Sequence, residues 1–100
     1  MKLDETQITN VFSAIGQSTR LDILKSVAPY SRGPDAQGLA AGEIAKQLTL
    51  APPTLSFHLK DMTFKGLLIQ QRQGRVIRYR ANLDVLLESL NYLVSEICEA

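Results

Sequence analysis

A chain of 100 residues with 45% hydrophobic and 21% charged side chains suits one globular domain around a single modest core, and excludes a disordered or fibrous chain. No apolar run approaches the roughly 20 residues that cross a bilayer, and the start MKLDETQ lacks the basic and then apolar blocks of a secretory leader, so a cytoplasmic protein without a membrane partner is expected. Formal net charge is only +1, yet residues 54–80 carry Lys60, Lys65, Arg72, Arg75, Arg78 and Arg80 against the single acid Asp61, while residues 81–100 carry four acids and no Lys or Arg. A basic segment followed by an acidic end suits an anion-binding module with a separate second surface.

In chain order, Ile8, Val11, Phe12 and Ile15 recur at helical spacing and predict a first helix from about Thr6, ended by Gly16. A second helix is expected from Ser18 toward Ala28, with Leu21, Leu24 and Val27 inward and Pro29 blocking continuation. Near its start Asp22 is favoured by the helix dipole, whereas Arg20 needs a carboxylate or phosphate close by. YSRGPDAQG, residues 30–38, has the Gly, Pro, Ser and Asp content of an exposed loop. AGEIAKQL, residues 41–48, predicts a short helix with Ile44, Ala45 and Leu48 as its apolar stripe, and a tight connection leads to a fourth helix from Pro52 to about Lys65, closed by Gly66.

Beyond Gly66 the period becomes extended. Residues 67–72 and 76–80 flank Gln73 and Gly74, and predict a two-stranded hairpin because glycine adopts the positive φ such turns require. Leu83, Leu86, Leu90, Leu93 and Ile97, reinforced by Leu87 and Val94, line one side of a C-terminal helix over about residues 82–98. The order predicts a mostly α fold with a small β hairpin. It is a winged helix-turn-helix with additional N- and C-terminal helices, in which the third helix positions the fourth and the hairpin is the wing.

Within APPTLSFHLK, residues 51–60, the prolines sit where a helix has amides without intrahelical partners, so they are tolerated and fix the angle at which the chain enters the helix. Leu55, Leu59 and Met62 form the inward stripe, leaving Thr54, Phe57 and Asp61 outward with Ser56 and Lys60 at its edges. Thr54 and Ser56 are short enough to let the helix approach a major groove and bond phosphates or base edges. Phe57 meets either a thymine methyl or a protein neighbour. Proline also removes backbone donors that would otherwise face a phosphate, so side chains must compensate. Arg72, Arg75, Arg78 and Arg80 are placed for that on the wing, with Arg75 at the tip, while Arg78 and Arg80 have a second reading as partners of the acids on the last helix.

His58 is the only histidine, so no second imidazole exists for a zinc site; on the margin of the inner face it is expected to be partly buried and bonded to backbone. Neither a phosphate loop nor a nucleophile–base pair is present, so an enzyme is not expected and no cofactor is implied. The apolar surplus on the last helix predicts a twofold dimer joining it and the first helix to their symmetry mates, through Ile8, Val11, Phe12, Ile15, Leu83, Leu86, Leu90, Leu93 and Ile97. Two recognition helices would then stand about 34 Å apart on successive major grooves.

IGQSTRLDILKSV, GEIAKQLTLAPPTLSFHLKDMTFKGLL and RQGRVIRYR together resemble the ArsR family of bacterial winged-helix repressors, over about residues 7–98. The resemblance implies a homodimer, paired through its first and last helices, that occupies a double-stranded DNA operator and leaves when a small inducer binds. In framework the chain is most similar to an arsenic-responsive branch with a long loop and adjacent C-terminal cysteines, but the matching pair here is Cys98 and Glu99. The Cys-Val-Cys positions of the commonest metalloid sensors correspond to Ala40 and Gly42, and the last helix has no histidine for a zinc site. Cys98, the only cysteine, is a weak metal candidate because trivalent arsenic favours three sulfurs. Three readings therefore stand: a repressor with an unidentified inducer, a metalloid- or redox-responsive repressor using Cys98, and a protein-interaction adaptor on a winged-helix scaffold.

Overall fold

A computed structural model describes residues 2–34 and 36–99. The first helix, α1, spans Glu5–Ile15 and is opened by a reciprocal cap, in which Asp4 accepts from the Gln7 amide at 2.8 Å and Gln7 accepts from the Asp4 amide at 2.9 Å. Its inward residues are Ile8, Val11 and Ala14, with Phe12 and Ile15 half-buried.

Helix α2, Ser18–Val27, differs in phase from the expected one. Leu21 is exposed, and the buried face is Arg20, Ile23, Leu24 and Val27, because the helix turns Arg20 inward to partners on a neighbouring helix. The α-helix ends before Pro29, as expected, and the chain continues through a 3-10 turn at Ala28–Tyr30, which tolerates a proline near its start. The loop that follows is not wholly exposed. Ser31 is buried, donating to the Val27 carbonyl at 2.6 Å and accepting from the Ala81 amide at 2.8 Å.

The expected hairpin is a three-stranded antiparallel sheet. Strand β1, Leu39–Ala40, pairs with β3, Val76–Ala81, which pairs with β2, Leu68–Gln73, giving the order β1-β3-β2. The β2–β3 turn is Gly74-Arg75 rather than Gln73-Gly74. Gln73 already pairs with Val76, and only Gly74 has positive φ, at 61°, as in a hairpin turn with glycine at its first central position.

Between β1 and β2 lie α3, Ala41–Leu48, and α4, Pro52–Phe64. Leu55, Leu59 and Met62 of α4 meet Ile44 of α3, Ile23 and Val27 of α2, and Leu67 and Leu68 entering β2 in one core. Each such side chain contributes about 1.5–3 kcal/mol on burial. The last helix, α5, spans Leu83–Leu93 and passes into a π-helical segment at Val94–Cys98, so the α-helical period does not run to residue 98. Its inward residues are Val85 and Ser89, with Leu83 and Leu86 packed at the core edge, while Leu87, Leu90, Val94 and Ile97 are exposed.

Candidate nucleic-acid interface

Helices α3 and α4 are joined by a three-residue turn. Thr49 ends α3 in the left-handed region at φ 54°, and the Leu50 amide closes back on the Ala45 carbonyl at 3.0 Å. At the other end of α3, Glu43 accepts from the Ala40 amide at 2.9 Å and pairs with Arg78 of β3 at 3.5 Å. This fixes α3 against the sheet, and Arg78 Nη1 also reaches the Gly38 carbonyl at 3.4 Å. The ion partner of Arg78 is thus Glu43 on α3, and no acid of α5 pairs with Arg78 or Arg80 among the described residues. The Nε atoms of Arg78 and Arg80 are buried without a hydrogen-bond partner.

Pro52 and Pro53 occupy the first turn of α4. From there Thr54, Ser56, Phe57 and Lys60 all emerge exposed, Phe57 at 66%. Asp61 does not join them on the solvent side: it pairs with Arg20 at 2.5 Å and with Lys65 at 3.0 Å. Those two bonds, Lys65 first and Arg20 second, hold its carboxyl below the usual carboxylate range. His58 is half-buried as expected, but its Nδ1 accepts from Arg20 Nε at 3.0 Å rather than from backbone. Its ring stands edge to face with Phe57, centroids 5.7 Å apart. Burial, and after it the Arg20 charge, hold His58 below the ordinary imidazole value, with Asp61 opposing.

On the wing, Arg72 and Arg75 are exposed, with Arg75 in the tip turn. Since Lys65 and Arg78 are engaged, the basic groups of this segment without an ion pair among the described residues are Lys60, Arg72, Arg75 and Arg80. Sequence reasoning missed the polar cleft of about 340 Å³ where α4 meets the sheet, lined by Ser56, Lys60, Thr63, Gln70 and Tyr79. Gln70 and Tyr79 face each other there through the β2–β3 register, which a correct strand alignment would have revealed.

The remaining candidates sit elsewhere. Ile8 and Val11 already face the protomer's own core and leave almost no area for a partner, whereas Leu90 and Ile97 are exposed and Leu93 is half-buried. Cys98 is a free, exposed thiol, and no group of three or more His, Cys, Asp or Glu is placed to hold a metal ion among the described residues. Among those residues no helix is long and apolar enough to cross a membrane.

Residues 17–69 match the family model described as "Bacterial regulatory protein, arsR family". The chain is 32% identical to the transcriptional repressor SdpR of Bacillus subtilis (strain 168) over 90% of its own length and 92% of the relative's. Among solved structures it is similar to an ArsR-like transcriptional regulator from Rhodococcus sp. RHA1, with a TM-score of 0.78 and 26% identity over 93% of this chain and 81% of that one. It is also similar to a homodimeric winged helix-turn-helix DNA-binding domain from Mycobacterium bovis, with a TM-score of 0.66 and 26% identity over 90% and 79% of the two chains.

Proposed function

The chain belongs to the arsR family of bacterial regulatory proteins, and on that premise we propose that this winged helix-turn-helix transcriptional regulator is a homodimeric repressor that binds an inverted-repeat operator. The observation that carries the reading is the shared outer face of Thr54, Ser56, Phe57 and Lys60 on α4, flanked by the exposed wing cations Arg72 and Arg75, which have no ion pair among the described residues. Short polar groups read base edges while the cations hold phosphates on either side. Arg78, tied to Glu43, supports the wing and contributes to phosphate attraction at longer range.

Residues 1–100 act as one DNA-binding unit whose terminal helices supply the dimer contact. The apolar stripe of Leu87, Leu90, Val94 and Ile97, exposed on the protomer, supports that assembly, as does the homodimeric domain from Mycobacterium bovis, while the transcriptional repressor of Bacillus subtilis supports the repressor role. The inducer is an unidentified small molecule or oxidant rather than a metalloid at Cys98, because one exposed sulfur per protomer falls short of a three-sulfur site.

Selection from random duplex DNA tests the reading. An enriched palindrome is expected. On that palindrome, Arg75→Ala should lower the salt dependence of binding by about one counterion per protomer, while Thr54→Ala and Ser56→Ala should change sequence preference. Unchanged binding in all three variants refutes this DNA surface. A second reading, a protein-binding adaptor, is favoured by Phe57 and by Phe64 at 86% exposure, two aromatics on the outer side of α4. Absence of any enriched sequence at low salt, from a folded dimer, would favour it.

A further inference from the structure

Ser13, Lys65, Asp61, Arg20 and His58 form one polar path across three helices. Lys65 Nζ of the α4 cap donates to Ser13 Oγ of α1 at 3.0 Å, Lys65 and Arg20 share Asp61 Oδ2, and Arg20 Nε donates to His58 Nδ1. Arg20 is only 4% exposed. A cation this deep is tolerated where its charge and donors are matched, and both matching groups lie on α4, three residues apart. Nothing in the core packing of α2 requires an arginine in that inward position.

We propose that Arg20 and His58 are a proton-linked positioning pair, in which Arg20 holds α4 in its DNA-reading orientation only while His58 is neutral, so that operator affinity falls in mildly acid solution. The inference rests on the DNA-binding reading above. In the present geometry Nδ1 is an acceptor, so the neutral ring carries its proton on Nε2. A second proton turns Nδ1 into a donor facing the Arg20 N–H, and places two cations about 3 Å apart in a partly dry setting.

Of the groups facing the imidazole, only the Asp61 carboxylate favours a second proton, and burial and the Arg20 charge outweigh it. From α2 there is only Arg20. From α4 there are the neutral ring of Phe57 and the Asp61 carboxylate, which already accepts from Arg20 and Lys65, and α1 contributes only the neutral Ser13 hydroxyl through Lys65. Protonation therefore drives His58 out of its seat or rolls α4 away from α2. Side-chain tips lie about 5–6 Å from a helix axis, so a roll of about 20° displaces Thr54, Ser56 and Phe57 by about 2 Å. Hydrogen bonds to base edges tolerate only a few tenths of an ångström.

The added charge of protonated His58 acts in the opposite direction on sequence-independent binding, where only phosphate attraction counts. Operator and scrambled DNA should thus diverge as pH falls. Labelled operator and a scrambled duplex of equal length are titrated at pH 7.5 and 5.5 at constant ionic strength, with wild type and His58→Asn, whose amide oxygen replaces Nδ1 and does not titrate. Wild-type operator affinity is expected to fall several-fold, with about tenfold as the ceiling for one group titrating below its ordinary value, while the scrambled duplex is held as well or better, and the variant should be flat for the operator. Equal pH dependence in wild type and variant, or parallel change on the two duplexes, overturns the pair.

Because His58 is the only histidine, its imidazole signals can also be titrated by NMR in wild type, with and without operator. This keeps the inference testable if the variant misfolds. A lower pKa in the complex is expected, and an equal or higher one overturns the proposal. Failure to bind any duplex at pH 7.5 refutes the DNA-binding reading itself, whereas a pH-independent operator affinity refutes only the positioning pair.

Discussion

Replacing Gly38 with alanine tests the junction that seats α3 against the sheet. Gly38 has φ 72°, its amide donates to the Tyr30 carbonyl at 3.0 Å, and a Cβ there would lie 2.3 Å from the Tyr79 carbonyl oxygen and 2.7 Å from its carbon. Those are backbone atoms of β3, which cannot retreat without breaking the Leu39–Tyr79 pairing. The left-handed conformation costs an L-residue about 1–2 kcal/mol, and relieving the clash adds about 1–3 kcal/mol of overpacking strain. The total, about 2–5 kcal/mol, is a large part of the 5–15 kcal/mol typical of a small domain. Gly33→Ala is the internal control: φ there is 85° but no atom of the described residues lies within 4 Å of the added carbon, so only the conformational cost should appear. In urea unfolding followed by circular dichroism, Gly38→Ala should therefore be the less stable of the two by about 1–3 kcal/mol. Equal destabilisation would show that β1 does not approach β3 as described.

Ser31→Ala leaves the buried Ala81 amide without its acceptor, and should cost about 1–3 kcal/mol in the same unfolding assay. His58 and Asp61 both have folded-state pKa values below their ordinary ones. Each binds fewer protons folded than unfolded, so stability should fall as pH drops from about 6.5 through the His58 transition, and again below about 3.9 as Asp61 is protonated; His58→Asn should remove only the upper step, and a stability constant from pH 7.5 to 3 would contradict both. Leu90→Glu with Ile97→Glu places charge on the exposed stripe of α5 and its π-helical end, and sedimentation should show the 11.1 kDa protomer replacing a dimer; a wild type that is itself monomeric at micromolar concentration, with and without operator, rejects the dimer. Cys98→Ser should respond to arsenite, zinc, cadmium and peroxide as wild type does in operator binding; release of wild type alone by stoichiometric arsenite would make Cys98 the sensor.

Much of the fold was legible because the residue periods are strong. The stripe Leu55, Leu59, Met62, the short helix around Ile44, and the shift to extended period after Gly66 all emerge where the spacing puts them. The strand β1 was not legible, since two residues carry no periodicity and Leu39–Ala40 is a strand only through its pairing with β3. The phase of α2 departs from its leucine spacing for a chemical reason. Residues 20, 23, 24 and 27 have the i, i+3, i+4, i+7 spacing of a buried face, but a charged residue at its head hides that face, and composition alone favours Leu21. The carboxylate that Arg20 needs is Asp61 of α4, joined there by His58. On the last helix the leucine repeat mixed two surfaces: Leu83 and Leu86 close the core, while Leu90 and Ile97 lie outside it.

The pairing of β1 with β3 also has a kinetic meaning. Leu39 and Ala40 bond to Tyr79 and Arg78, so the whole segment from α3 through β2 is a loop closed at its neck by a two-residue strand. Loop-closure entropy opposes that neck until the enclosed helices are packed, so it should form late in folding and open early under native conditions. Amides at the neck should then exchange with solvent ahead of those of α4, whose inward stripe is held in the core.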